Sequence, residues 1–114
     1  MTVLIIGAGL VGSQVARILA EAGERPLVMD QRPQREVLAK IVNLDRIDLI
    51  EGDVLRPLTL SAAITRGRID AIVHTAAYPL LTLGAQRNPY AALELNIMGL
   101  VNVMETARVH GIKR

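Results

Sequence analysis

Val3-Leu4-Ile5-Ile6-Gly7-Ala8-Gly9-Leu10-Val11-Gly12 decides the fold: an apolar run feeds directly into glycines at 7, 9 and 12, and an amphipathic stretch follows. Continuous apolar, β-branched residues predict a parallel strand covered on both faces. The glycines predict a tight turn into a helix whose N-terminus faces a phosphate charge. In such a turn Gly7 permits the bend, Gly9 lets backbone approach a pyrophosphate, and Gly12 packs helix against strand. Leu10 and Val11, at the helix start, belong to the same candidate site. Asp30 closes the next apolar run, Leu27 to Met29, where an acid would accept a hydrogen bond from a ribose hydroxyl. An ordinary strand-to-helix turn would use the glycines but leave Asp30 unexplained.

Working outward, strand-like runs alternate with helical stripes. Val11, Val15, Ile18, Leu19 and Ala22 share one helical face, and Gly23 ends that helix. Gln34 to Val42 predicts a short helix with Val37, Leu38 and Ile41 inward, Ile47 to Ile50 a third strand, Pro57 to Ile64 a weaker helix, and Ala71 to Thr75 a fourth strand. From Pro89 a long helix is predicted to about His110, stopped by Gly111. The alternation implies an α/β fold with right-handed crossovers: a partial Rossmann-type, doubly wound parallel sheet of about four strands in the order 3-2-1-4. Residues 1–114 are expected to form one cofactor-binding domain. Its ligands would lie outside the carboxyl ends of the strands, where Gly7, Asp30, Asp53 and Thr75 to Ala77 fall.

Composition narrows the classes of function. The 114 residues are 51% hydrophobic and 2% aromatic, so the core is built from aliphatic side chains. Thirteen basic and eleven acidic residues give a net charge of +2. With basic residues scattered and only Tyr78 and Tyr90 as aromatic platforms, nucleic acid is not an expected partner. The absence of cysteine excludes disulfides and zinc-thiolate sites. No metal site is expected. No apolar run reaches the ~18 residues of a membrane span, and Met1-Thr2 leads straight into the first strand, so a cytoplasmic protein without a membrane partner is expected.

Three later segments carry a family resemblance: Gly52-Asp53-Val54, His74-Thr75-Ala76-Ala77, and Asn88-Pro89 with Asn96-Ile97-Met98-Gly99-Leu100-Val101-Asn102-Val103-Met104-Glu105-Thr106-Ala107. Together with the glycine turn, the whole chain resembles the extended short-chain dehydrogenase/reductases, the NAD-dependent epimerase/dehydratases. The resemblance implies that Asp53 accepts a hydrogen bond from the adenine amino group, with Val54 supplying a backbone amide. It implies that Ala76 and Ala77, beside Thr75, let ribose and nicotinamide lie close to backbone. Asn96 matches the family's helix asparagine; a capping or interhelical polar residue is the alternative. Tyr78 stands where substrate or nicotinamide would sit. The apolar segment Pro79 to Arg87, read as a loop with Leu80, Leu81 and Leu83, suits either a covered site or an interface. His74 reads as a strand residue rather than an acid or base, because a lone imidazole needs a partner for proton work.

Two departures stand out. Ile6 occupies the position where the family usually has glycine. The family's tyrosine followed four residues later by lysine is missing: Tyr78 is followed at that spacing by Thr82, and Tyr90 by Glu94. No catalytic residue is therefore assigned, and the chain resembles the cofactor-binding front portion of a longer enzyme. A bare fourth strand and an apolar long helix would favour a homo-oligomer. Asp30 repels a 2′-phosphate and favours NAD over NADP, while Arg32 two positions later partly offsets that preference. Residues 1 to 73 also resemble nucleotide-sensing regulatory domains of potassium channels and transporters. A non-catalytic redox sensor of the same fold is a third reading.

Overall fold

The computed structural model describes residues 1–79 and 81–114, so Leu80 of the apolar segment lies outside the described residues. Four parallel strands, β1 (Val3–Ile6), β2 (Leu27–Asp30), β3 (Asp48–Glu51) and β4 (Ala71–His74), form one sheet in the order β3-β2-β1-β4. This is the expected 3-2-1-4 arrangement. Leu4 lies opposite both Leu27 and Ile72, which keeps the carboxyl ends of β1, β2 and β4 level. The chain turns one way from β1 to β2 and the other way to β4, and that reversal opens a crevice above β1.

Alternation along the strands splits the core in two. Leu4 and Ile6 join Met29, Leu60, Ile64 and Val103 on the face covered by α3 (Pro57–Gly67) and α6 (Gly99–Val109). Val3 and Ile5 join Val28, Ala16, Ala20 and Leu38 on the face covered by α1 (Leu10–Glu21) and α2 (Arg35–Leu38). All four residues of β1 are buried, as a strand covered on both faces requires.

The helices correct several expectations. In α1 the buried face is Gly12, Ser13, Ala16 and Ala20, whereas Val11 and Ile18 are 62% and 56% exposed. A helix lying this close to the β1 turn admits only small side chains beneath it, so the larger ones flank the contact. Gly23, at φ +88°, ends α1 as expected. The second helix is shorter than Gln34 to Val42 and turns Leu38 inward, leaving Val37 exposed. A single 3₁₀ turn, Leu44–Arg46, follows where Asn43 accepts the Asp45 N–H through its side chain (3.0 Å).

Beyond β4, the segment read as a loop contains a helix, α4 (Leu81–Arg87). The long helix from Pro89 is continuous but not uniform. α5 (Pro89–Leu93) starts with the Asn88 side chain accepting the Ala91 N–H. A π turn over Glu94–Met98 follows, then α6 runs to Val109, with Gly111 at φ +71° closing it. The outer edge of β4 is not wholly bare: the Ile72 N–H donates to the Arg114 carbonyl (2.9 Å).

Candidate functional site

The site begins where β1 ends. Gly7 sits at φ +100°, and a Cβ there would lie 2.8 Å from both the Ala76 nitrogen and Thr75 Oγ1, so no side chain fits. The Gly7 N–H donates to the Met29 carbonyl (2.8 Å), and the Thr75 N–H to the Ile6 carbonyl (2.8 Å). The Thr75 hydroxyl reaches the Ile6 (2.9 Å) and Gly7 (3.1 Å) carbonyls, donating to one at a time. The turn is thereby tied to β2 and β4 at once. A Cβ on Gly12 would strike the Gly7 carbonyl, which is the close helix-to-turn packing expected of that glycine. Gly9 differs: nothing lies within 4 Å of where its Cβ would stand. No side chain caps α1, so its first amides are left without a side-chain partner at the glycine turn.

Asp30 is half-buried and held at both oxygens. Oδ2 accepts the Ala8 N–H (2.8 Å) and Oδ1 the Arg32 N–H (2.9 Å), fixing the carboxylate against the glycine turn while leaving lone pairs for a ligand. Asp53 is fixed in a similar way. Its Oδ1 accepts the Leu55 N–H (2.9 Å), its Oδ2 the Gln31 side-chain amide (3.3 Å), and its own N–H donates to Thr59 Oγ1 (3.0 Å). Val54 is buried against Gly99, and its carbonyl accepts the Asn102 side-chain amide (2.8 Å). Asn102 thus pins α6 to the loop after β3.

A cavity of about 280 Å³ opens above β1. Of the residues singled out in the sequence, Gly7, Gly9, Asp30, Asp53, Val54, Thr75, Ala76 and Ala77 line it. Leu10, Val11 and Gly12 form the first turn of α1 without lining it. Arg32 lines an adjoining cavity of about 420 Å³ together with Gln31, Asp53 and Arg56. Tyr78 and Asn96 stand outside the cavity wall and are joined to each other, the Tyr78 N–H donating to Asn96 Oδ1 (2.8 Å). Asn96 lies within the π turn, so the widened turn carries the contact that holds the segment after β4.

Sequence reasoning missed Ile6, Met29, Gln31, Gly52, Pro79 and Leu95 in the cavity wall. Ile6, Met29 and Leu95 double as core residues, and an exposed glutamine has no periodic signal. His74 lies on β4 outside the cavity wall. Its Nδ1 is buried without a hydrogen-bond partner, and burial pushes the imidazole below its ordinary pKa of 6.5. Among the described residues no helix is long and apolar enough to cross a membrane.

The arrangement sets uncapped helix-terminal amides and a fixed carboxylate at one end of the sheet, and known proteins share the fold that carries it. The UDP-glucose 4-epimerase of Lacticaseibacillus casei is 30% identical over 115 residues, covering 100% of this chain and 34% of that protein. The UDP-glucose 4-epimerase of Mus musculus is 26% identical, covering 94% of this chain and 33% of that protein. The chain thus spans about a third of the length of the curated relatives it matches. The crystal structure of the Thermus thermophilus UDP-glucose 4-epimerase in complex with NAD superposes with a TM-score of 0.85 at 25% identity, over 99% of this chain and 35% of that one. The family model for the NAD dependent epimerase/dehydratase family matches residues 3–114. NAD is the cofactor of that family. Many nucleotide folds share the glycine turn, but this match runs on through the tail after β4, and the chain belongs to the NAD dependent epimerase/dehydratase family.

Proposed function

We propose that residues 1–114 are a single NAD-binding unit, the front portion of a longer epimerase/dehydratase that acts on a sugar-type or related alcohol. The observation that carries this is the Asp30 carboxylate, anchored by the Ala8 and Arg32 amides beside a glycine turn with open space over Gly9. The residues present fit the dinucleotide. The first amides of α1, at Leu10 and Val11, would hold the pyrophosphate, and Asp30 a ribose hydroxyl. Asp53 would accept from the adenine amino group, and Thr75 to Ala77 would border the nicotinamide end.

The nicotinamide, when bound, supplies hydride acceptance from a substrate alcohol. This chain's own residues bind and orient it. The 114 residues contain no tyrosine followed four positions later by lysine, so the chain alone binds without turnover. Asp30 also sets the choice of cofactor, because a fixed carboxylate opposes a 2′-phosphate. The fluorescence of the reduced nicotinamide reports its binding directly. Titrating the chain with NADH and NADPH should show NADH bound at least about tenfold more tightly, about 1.4 kcal/mol; equal affinities would remove Asp30 from its role. The regulatory-domain reading has less support, since the family match extends past the shared residues 1 to 73 to Arg114.

The same reading includes self-association. Tyr90, Leu93, Ile97, Val101 and Met104 recur along the π turn and its flanking helices at helical spacing, each at least 46% exposed. A contiguous exposed apolar stripe of this kind is the mark of an interaction face. A second copy packing helix on helix would cover it.

A further inference from the structure

We propose that Gln31 is a displaceable latch over the Asp53 carboxylate and competes with the base of the dinucleotide for it. This inference rests on the reading of the crevice as an NAD site. Gln31 and Asp53 are shared by the two adjoining cavities, so the bond between them runs along the boundary where the cavities meet. It joins the end of β2 to the loop after β3, and it is the long member of its group. Gln31 Nε2 stands 3.3 Å from Asp53 Oδ2, whereas the Leu55 N–H holds Oδ1 at 2.9 Å.

The two oxygens therefore have different roles. Oδ1 is committed to the backbone of its own loop and keeps the carboxylate in place. Among the described residues Oδ2 is held only by an exposed side chain that swings away by rotation about its own bonds, at little cost to the fold. Oδ2 keeps a second lone pair, but a ligand's exocyclic amino group approaching it along the boundary of the two cavities would meet the Gln31 amide there, so binding exchanges one N–H donor for another. The exchange returns less free energy than filling an empty acceptor would. Gln31 in this way lowers affinity for the dinucleotide, while Thr59, which accepts the Asp53 N–H, keeps the loop from following the amide outward.

The test is NADH binding to the full 114-residue chain, followed by nicotinamide fluorescence, for the unmodified chain, for Gln31→Ala, and for Gln31→Ala in an Asp53→Ala background. Gln31→Ala should bind about two- to fivefold more tightly, the scale of one weak hydrogen bond no longer broken on binding. In the Asp53→Ala background that gain should vanish, because the contested oxygen is gone. If Gln31→Ala binds no tighter, or its gain survives removal of Asp53, the latch is refuted while the NAD site stands. If the unmodified chain fails to bind NADH, the reading beneath the latch fails with it. Should Asp53→Ala not fold, the single exposed substitution still decides.

Discussion

At the scale of the residue, each glycine of the turn performs a separable task. Gly7 combines a positive φ with contacts to Thr75 and Ala76, so Gly7→Ala should lower stability by about 1–3 kcal/mol in urea unfolding. Gly9 has open space around it, and Gly9→Ala should cost less stability while weakening dinucleotide binding. His74 gives a pH signature. Its folded pKa lies below the unfolded value of 6.5, so the neutral imidazole's contribution is present above 6.5 and is lost as pH falls below it. The melting temperature should therefore drop between about pH 7.5 and pH 5.5, and His74→Leu should flatten that drop. Gly7, Gly12 and Asp30 were legible in the sequence because their spacing carries a geometric demand. Gln31 was not, since a polar side chain at the rim obeys no period and its partner Asp53 comes from a different strand end.

At the scale of the element, strand order and strand positions followed from apolar alternation, but helix faces did not. The stripe of large residues in α1 suggested Val11 and Ile18 inward, yet steric contact between Gly12 and the Gly7 carbonyl selects the small-residue face. α4 carries Gly84, a poor helix former. Its missing side chain is used tertiarily, because a Cβ there would press on Tyr78 and the Pro79 carbonyl. The π turn is invisible to periodicity, since one widened turn hardly shifts the apolar stripe. Its contact is testable: Asn96→Ala removes the acceptor of the Tyr78 N–H and should cost about 0.5–1.5 kcal/mol. Amide exchange at Tyr78 should then quicken, while exchange in the β1 interior stays unchanged.

At the scale of the whole molecule, the four-stranded sheet places every carboxyl end beside one crevice, while the helical stretch from Pro89 turns an apolar stripe outward. If a second copy covers that stripe, the 12.4 kDa chain should sediment as a dimer, and Leu93→Glu combined with Ile97→Glu should return it to monomer. Sedimentation of the unmodified chain as a monomer at micromolar concentration would contradict that assembly. The central claim is the dinucleotide site itself, and calorimetric titration of the folded chain with NAD tests it most directly. Saturable one-to-one binding is predicted, weakened about tenfold or more by Asp30→Ala. No binding heat up to ~1 mM NAD, about −4 kcal/mol or weaker, with the circular dichroism of the folded chain intact, would contradict it.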